Sequence, residues 1–447
     1  ITSAQLERRA RLTRERLEVR AMTGATTSQG DEAMNSDDVR STFGIDGSGV
    51  KVGSLSDSYD TNVSATTSAA DDIASGDLPP ANRIDIVDDG IARSDEGRAM
   101  MQLIHDVVPG AEQAFHTAFG GQADFAQGII DLADAGSDVI VDDVGYLTEP
   151  FFQDGVIAQA VDEVASRGIP YFSSAGNAAT NSYETDVMNF VVRSDGTTEA
   201  FDFDTSASVD TTQSFTLPVG FTANVGLQWD DPYFAASGDP GFAADTDIDF
   251  LVLDNAGNVV MSASSNNISS GDPAEFLGFF NDGSIDADGD GNADTEFQFV
   301  IVRQAGPQPG RIKYIQGGSA TVNEHRTESS TSYGHSVATD GAGVAAAAWY
   351  DSPEFGVDPA TPESFTSLGG ATILFEATGP RLSLPEVRDQ PRFTAPDGTN
   401  TTFFGGDIPQ DGDSFPNFFG TSPAAPHAAA VPALQLQPDP SPTPAQL

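Results

Sequence analysis

Residues 418–434, FFGTSPAAPHAAAVPAL, set the reading of the whole chain. Gly420-Thr421 is a small-residue turn that delivers Ser422 to an alanine-rich run, which reads as a buried helix. The first turn of a helix leaves backbone N–H groups unpaired and carries the positive end of the dipole. Such a place suits an oxygen that must carry negative charge during acyl transfer. Gly-Thr-Ser ahead of a helix is also an ordinary N-cap, so the rest of the chain has to decide. Pro432 removes a helix hydrogen bond inside the run. It leads one to expect an early helix end or a degenerate segment.

Upstream, strand and helix signals alternate. VKVGSLSDSYD (50–60) is a β-branched strand ending in a polar turn at Asp57, and RIDIVDD is a second strand. The run Glu96–Val107 reads as a helix. GAEQAFHTAF, DVIVDDVG and IPYFSSAGN read as strands, and QADFAQGIIDLADAG and VIAQAVDEVASRG as helices. Repeated β-α alternation with mostly apolar strands predicts an α/β fold, a parallel sheet covered on both faces.

Past about residue 195 the pattern changes. Short alternating strands such as TTQSFTLPV, TANVGLQWDD and TEFQFVIVRQ are separated by Gly, Asp and Asn turns, with no convincing helix before residue 318. That predicts an antiparallel β-sandwich over residues 195–318. Helical or α/β character returns at YGHSVATDGAGVAAAAW, so the sandwich is inserted into the α/β domain, whose two parts are residues 41–194 and 319–435. Residues 1–40 form a basic helix and polar connector, read as a solvated helix or the remnant of a pro-segment. Residues 436–447 are a proline-rich linker, after which something may once have followed.

Composition narrows the function. Acidic residues number 67 against 20 basic, a net charge of −47, and the lysines are Lys51 and Lys313 alone. Such a surface repels nucleic acid and anionic membranes. It suits a protein that is secreted, at the cell surface, or in a salty medium. No cysteine is present, which excludes disulfides and a thiol nucleophile. No apolar run approaches the roughly 18 residues of a membrane span, and no signal peptide precedes Ile1, so any export signal lies outside this sequence.

Gly420-Thr421-Ser422, then Ala424, Pro426 and His427, resembles the nucleophile segment of the subtilases, the subtilisin-like serine peptidases. The resemblance covers roughly residues 40–190 and 325–435. It implies a subtilisin-like sheet, Ser422 as nucleophile and a polypeptide substrate. It places Asp57, which ends the first strand, as the acidic triad member. In YFSSAGNAA it places Asn177 as the oxyanion donor, whose loss costs about 3–4 kcal/mol of transition-state stabilisation. DVIVDDVG resembles the strand lining the substrate cleft, bringing Asp143 and Gly145 to it. RFTAPDGTNTTFFG resembles the Ala-Pro-Gly segment upstream of the serine. The sandwich is similar to the jelly-roll domains often attached to secreted peptidases.

One element departs from the pattern. Where subtilases begin a helix with His-Gly-Thr, this chain has DEGRAMMQLIHDVVPGA, with Glu96 at the histidine position. His105 lies nine residues further on, about 13 Å along and about 180° around the helix, and would face away. His116, in a strand, His325, in a polar loop, and His427, on the nucleophile helix, read as structural or surface residues.

Two readings of Glu96 stand. As a general base it is similar to the glutamate of the sedolisins, relatives of the subtilases with a Ser–Glu–Asp triad. The likeness is partial, because sedolisins carry aspartate where Asn177 stands. A carboxylate near its usual pKa of about 4.3 is a feeble base, so burial or neighbouring charge must raise it. Sharing one proton with Asp57 and Asp143 suggests an acid-shifted optimum. In the other reading the base is lost and an inactive scaffold serves extracellular binding or adhesion, Glu96 then merely answering the helix dipole.

In the sandwich, DADGDGNADTE places Asp286, Asp288, Asp290, Asn292 and Asp294 at alternate positions with a sharp turn at Gly291. This matches the start of a calcium loop, but Phe297 stands where its bidentate acid belongs. An acidic hairpin turn is the other reading. Calcium, if bound, is structural, the chemistry needs no cofactor, and a monomer is expected.

Overall fold

The computed structural model describes residues 24–194, 196–206 and 208–447. The basic run over residues 1–22 therefore lies outside the described residues. The first part supplies strands β1 (Lys51–Ser56), β2 (Ile84–Asp88), β3 (Glu112–Thr117), β4 (Val139–Asp142) and β5 (Tyr171–Ser174). An insert follows, with β6 (Ser182–Thr185), β7 (Phe190–Val192), β8 (Glu199–Phe201), β9 (Gln213–Thr216), β10 (Thr222–Trp229) and β11 (Asp247–Leu253). It continues through β12 (Val259–Ala263), β13 (Ala274–Phe280), β14 (Glu296–Ala305), β15 (Ile312–Gly318) and β16 (Thr321–Val322). The chain then returns through β17 (Ala342–Ala348), a hairpin of β18 (Ala371–Phe375) and β19 (Arg381–Arg388), and β20 (Phe393–Asp397).

The central sheet runs in the order β2-β3-β1-β4-β5-β17-β20 and every pairing in it is parallel. Helices cover both faces, which is why inner strands such as β4 and β17 are buried along their whole length rather than alternating. On β4, Val139 and Val141 face the helices Glu96–Val107 and Thr421–Leu436, while Ile140 faces Gln122–Asp134 and Val156–Ser166. The fold is the expected α/β arrangement, a parallel sheet with helices on both faces interrupted by an antiparallel sandwich. Among the described residues no helix is long and apolar enough to cross a membrane.

The helix Thr421–Leu436 lies across the middle of this sheet, its alanines buried. Methyl-sized side chains let it approach the strands closely. It contains Pro426 and Pro432 and does not stop early at Pro432. Burial on the sheet outweighs the lost helix bond, about 3 kcal/mol. His427 is locked inside: its Nδ1 hydrogen-bonds Pro423 O at 2.7 Å and its Nε2 the Ser28 hydroxyl at 2.6 Å. Burial pushes its pKa down to about 4, so it is neutral. Ser28 precedes two helices, Gln29–Ala33 and Ser36–Phe43. A side-chain carbon on Gly30 would fall 2.3 Å from the His427 ring. The stretch that reads as a polar connector is thus fastened to the helix Thr421–Leu436.

The insert is two packed sheets, β13-β10-β15-β6 and β12-β11-β14-β8-β7, the second extended by β9 and β16. Trp229, Phe250, Phe297, Phe299 and Tyr314 fill the space between them. Its first strand is Ser182–Thr185, ahead of the residue 195 that the change of pattern suggests. A four-residue strand shows too little periodicity until its partner β15 is known. YGHSVATDGAGVAAAAW forms a short 3-10 turn, Gly334–Val337, and then β17.

Burial pushes the carboxyls of Glu275 and Asp397 up to about 7 and that of Asp106 well above its usual range. Such groups keep their protons when folded and lose them when unfolded, so their contribution is present at low pH and lost as pH rises through the folded pKa. The buried neutral His427 acts oppositely, but only below the ordinary histidine range. The thermal midpoint is therefore expected to fall from about pH 6 to about pH 8 at fixed ionic strength. A midpoint that rises over that interval would show these carboxyls ionised in the folded chain.

Candidate active site

Ser422 is the second residue of its helix and is half-buried. The turn before it is held by hydrogen bonds from β20 and from the loop after β5. Gly420, at φ +127°, donates its N–H to Asp397 Oδ2 at 2.9 Å. Thr421 donates both its N–H and its hydroxyl to Asn177 Oδ1, at 2.9 and 3.0 Å. Its hydroxyl also accepts the Gly176 N–H at 3.1 Å. With the Asn177 oxygen so engaged, the amide is oriented and its NH2 group is left for another partner. A side-chain carbon on Gly420 would stand 3.3 Å from Asn177 Nδ2 and 3.6 Å from Ser422 N. Both donors therefore border one small space, which glycine keeps open.

Glu96 reaches the same place from the start of the helix Glu96–Val107. Its carboxylate is near enough to Ser422 and Asp143 for both to pull its pKa down, although neither Asp143 oxygen makes a hydrogen bond among the described residues. Asp57 is buried and grips the helix start rather than the carboxylate. It accepts the N–H groups of Glu96 and Ser94, each at 2.8 Å, and the Ser94 hydroxyl. Asp95, turned into the left-handed region at φ 64°, accepts from the Ser58 hydroxyl at 2.9 Å and the Thr61 N–H at 2.8 Å. Arg98, fully buried, pairs with Asp72 and Asp95 and lies 3.7 Å over the Phe403 ring. The helix that carries Glu96 is thus tied down at its first turn.

Burial, and after it the Asp57 charge, raise the Glu96 pKa to about 7, against the pull of the contacts with Ser422 and Asp143. Asp143 is driven well above the carboxylate range, first by burial and then by Glu96. Among the described residues neither of its oxygens meets a well-aligned donor, so an ionised Asp143 would be costly. Burial thus favours the neutral form of Asp143, beside a Glu96 whose pKa is raised to about 7. A base at about 7 gains its working form through neutrality.

Gly145 is exposed on the loop after β4, and a side-chain carbon there would stand 3.5 Å from the Tyr333 hydroxyl. His105 meets Arg83, Asp77 and Gly76, far round its helix from Glu96. His116 bonds Thr117 O at 2.7 Å, and His325 pairs with Asp210 at 3.3 Å in the sandwich. In the acidic turn, Asp286, Asp288 and Asp294 bring carboxylate oxygens within 4.8 Å of one another. Asp290 is not in that group, and the Asn292 amide donates to it at 3.1 Å.

His335 escapes the sequence reading. It is buried between Asp142, at 3.1 Å, and Glu149, at 2.9 Å. Against the desolvation that would lower it, these two carboxylates push its pKa up to about 10, so it is an imidazolium. Adjacent residues of a strand point to opposite faces, so Asp142 and Asp143 had to serve two different places; that parity was the available signal. Asp397, under Gly420, is also missed, since nothing marks a lone aspartate as buried.

Because the Asp57 charge raises Glu96, Asp57→Asn is expected to move the acid limb of Ser422 reactivity to lower pH. Asp143→Ala removes a contact that lowers Glu96 and should move the limb higher. The pH dependence of inactivation by a fluorophosphonate reads both, and a limb unmoved by either change would uncouple Glu96 from the serine.

No protein-family model matches the chain, and no curated protein matches it. Among solved structures, the CspB protease of Clostridium perfringens aligns at 12% identity, over 90% of this chain and 86% of that one, with a TM-score of 0.44. MycP1 from the ESX-1 type VII secretion system aligns at 11% identity over 95% and 78%, with a TM-score of 0.38. The self-cleaved protease domain of PatA aligns at 19% identity over 30% and 52%, with a TM-score of 0.22. At these values the likenesses are distant.

Proposed function

We propose that this chain is a serine endopeptidase that hydrolyses peptide bonds through an acyl-enzyme on Ser422, with Glu96 as its base. The observation that carries the reading is convergence. Asn177 Nδ2 and the Ser422 N–H border the space left by Gly420, and Glu96, raised to about 7, is near enough to Ser422 to feel its side chain. In this mechanism the Ser422 oxygen attacks the scissile carbonyl while its proton passes to Glu96. The negative oxygen that forms accepts from Asn177 Nδ2 and the Ser422 N–H, in the field of the helix start. Glu96 then returns the proton to the departing amine, freeing the new N-terminus. Water, deprotonated by Glu96, releases the acyl group. Asp57 acts through the backbone of Glu96 and through its charge, and Asp143 and Gly145 border the bound chain.

A surface of this charge fits work outside the cell or at its surface. The competing reading, an inactive relative used in extracellular binding or adhesion, differs in one accessible result. A fluorophosphonate probe is expected to label the wild type, to fail on Ser422→Ala, and to label Glu96→Gln at least about a hundredfold more slowly. No labelling between roughly pH 3 and 9 would favour the scaffold.

The three converging carboxylates of the sandwich turn offer the hard oxygen donors that calcium takes. We assign them a structural calcium ion outside the chemistry. Millimolar calcium is expected to raise the thermal midpoint of the wild type by a few degrees and to leave Asp288→Asn unmoved. Equal midpoints with calcium and with chelator would remove this site.

A further inference from the structure

The sandwich sheet β13-β10-β15-β6 has one face in its own core, through Val225, Leu227, Leu277 and Phe279. Its other face is pressed on the α/β domain, against the loop that runs on from Gly145. Ile315 of β15 packs with Phe151 and Phe152. Gly226, its partner on β10, lies so close that a side-chain carbon would stand 3.0 Å from Leu147 O. Gln228 accepts the Phe151 N–H and donates to Glu149 O, both at 2.7 Å.

β13 is the edge strand of this sheet and carries the same face outward from β10. Phe276 stands opposite Gly226, Gly278 opposite Asn224, and Phe280 opposite Thr222. Directly opposed residues share a face, so Phe276 is one strand spacing, about 5 Å, from the residue that touches Leu147. Phe276 is 46% exposed and Phe280 55%. They are about 13 Å apart along the strand, two phenyl walls with glycine as the floor between them. The strip holds no charge, although the chain carries 67 acidic residues. Toward the nucleophile, half-buried Leu147, Tyr333 and Ala178 continue the apolar surface, Ala178 directly after Asn177.

We propose that this face of β13 is an exosite that holds an extended, apolar segment of the polypeptide substrate outside the scissile region. It rests on the peptidase reading given above. A strip of uncharged aromatic surface, contiguous with the cleft, matches a chain whose apolar side chains are unfolded and available. A second copy would bring its own net charge of −47, which opposes self-association, while a neutral apolar peptide meets no such repulsion.

The test compares the wild type with the double variant Phe276→Ser/Phe280→Ser on two substrates, an unfolded carboxymethylated protein and a short chromogenic peptide. The expected result is a loss of about tenfold in kcat/KM for the protein, expressed in KM, with the short peptide unchanged. Equal losses on both substrates, or none, would overturn the exosite. Binding keeps the question separate from catalysis: in Ser422→Ala, the affinity for the labelled unfolded protein, read by fluorescence anisotropy, should also fall about tenfold with the double change. Should the wild type hydrolyse neither substrate, the peptidase reading fails and the anisotropy alone decides the binding face. Should the wild type sediment as a dimer that the double variant dissolves, the face belongs to a copy–copy contact and the exosite is overturned.

Discussion

The placing of acidic groups against the start of a buried helix governs the rest of this structure. Water is withdrawn from Glu96, Asp143 and Asp397, and a carboxyl in that position is costly to ionise. The helix Thr421–Leu436 answers with the positive end of its dipole and with unpaired N–H groups. Gly420 and Thr421 direct those groups outward, toward Asp397 and Asn177. The same desolvation turns a glutamate that would be a feeble base in water into one that titrates near neutrality.

β4 shows how the sheet distributes its charges. Asp142 and Asp143 are neighbours in sequence, yet they turn to opposite faces. One pairs with the buried imidazolium of His335, which also binds Glu149 and so ties the returning chain to the loop after β4. The other keeps no cation and remains beside Glu96. A cation on one face and none on the other is what separates an ion pair that holds structure from a carboxyl that holds a proton.

The insert is bound into this arrangement rather than appended to it. Its sheet leans on the loop from Gly145 to Gln153 through Gly226 and Gln228, and its last residues lead into His335. That loop is therefore supported from the sandwich side as well as from β4. A missing side chain at residue 226 is what permits that approach.

The sequence by itself determined the order of strands and helices in the α/β domain, since buried parallel strands and amphipathic helices announce themselves by local periodicity. It also determined which segments carry Ser422, Asn177, Asp57 and Glu96, because short motifs at turns keep their residue types together. Tertiary structure alone decided the partners: that Pro432 is tolerated by a helix buried on the sheet, that the acidic turn converges three of its four carboxylates, and that His335 is charged. Protonation and partnership depend on what lies across the fold in a medium of low dielectric, often more than a hundred residues away along the chain, and no local pattern records that distance.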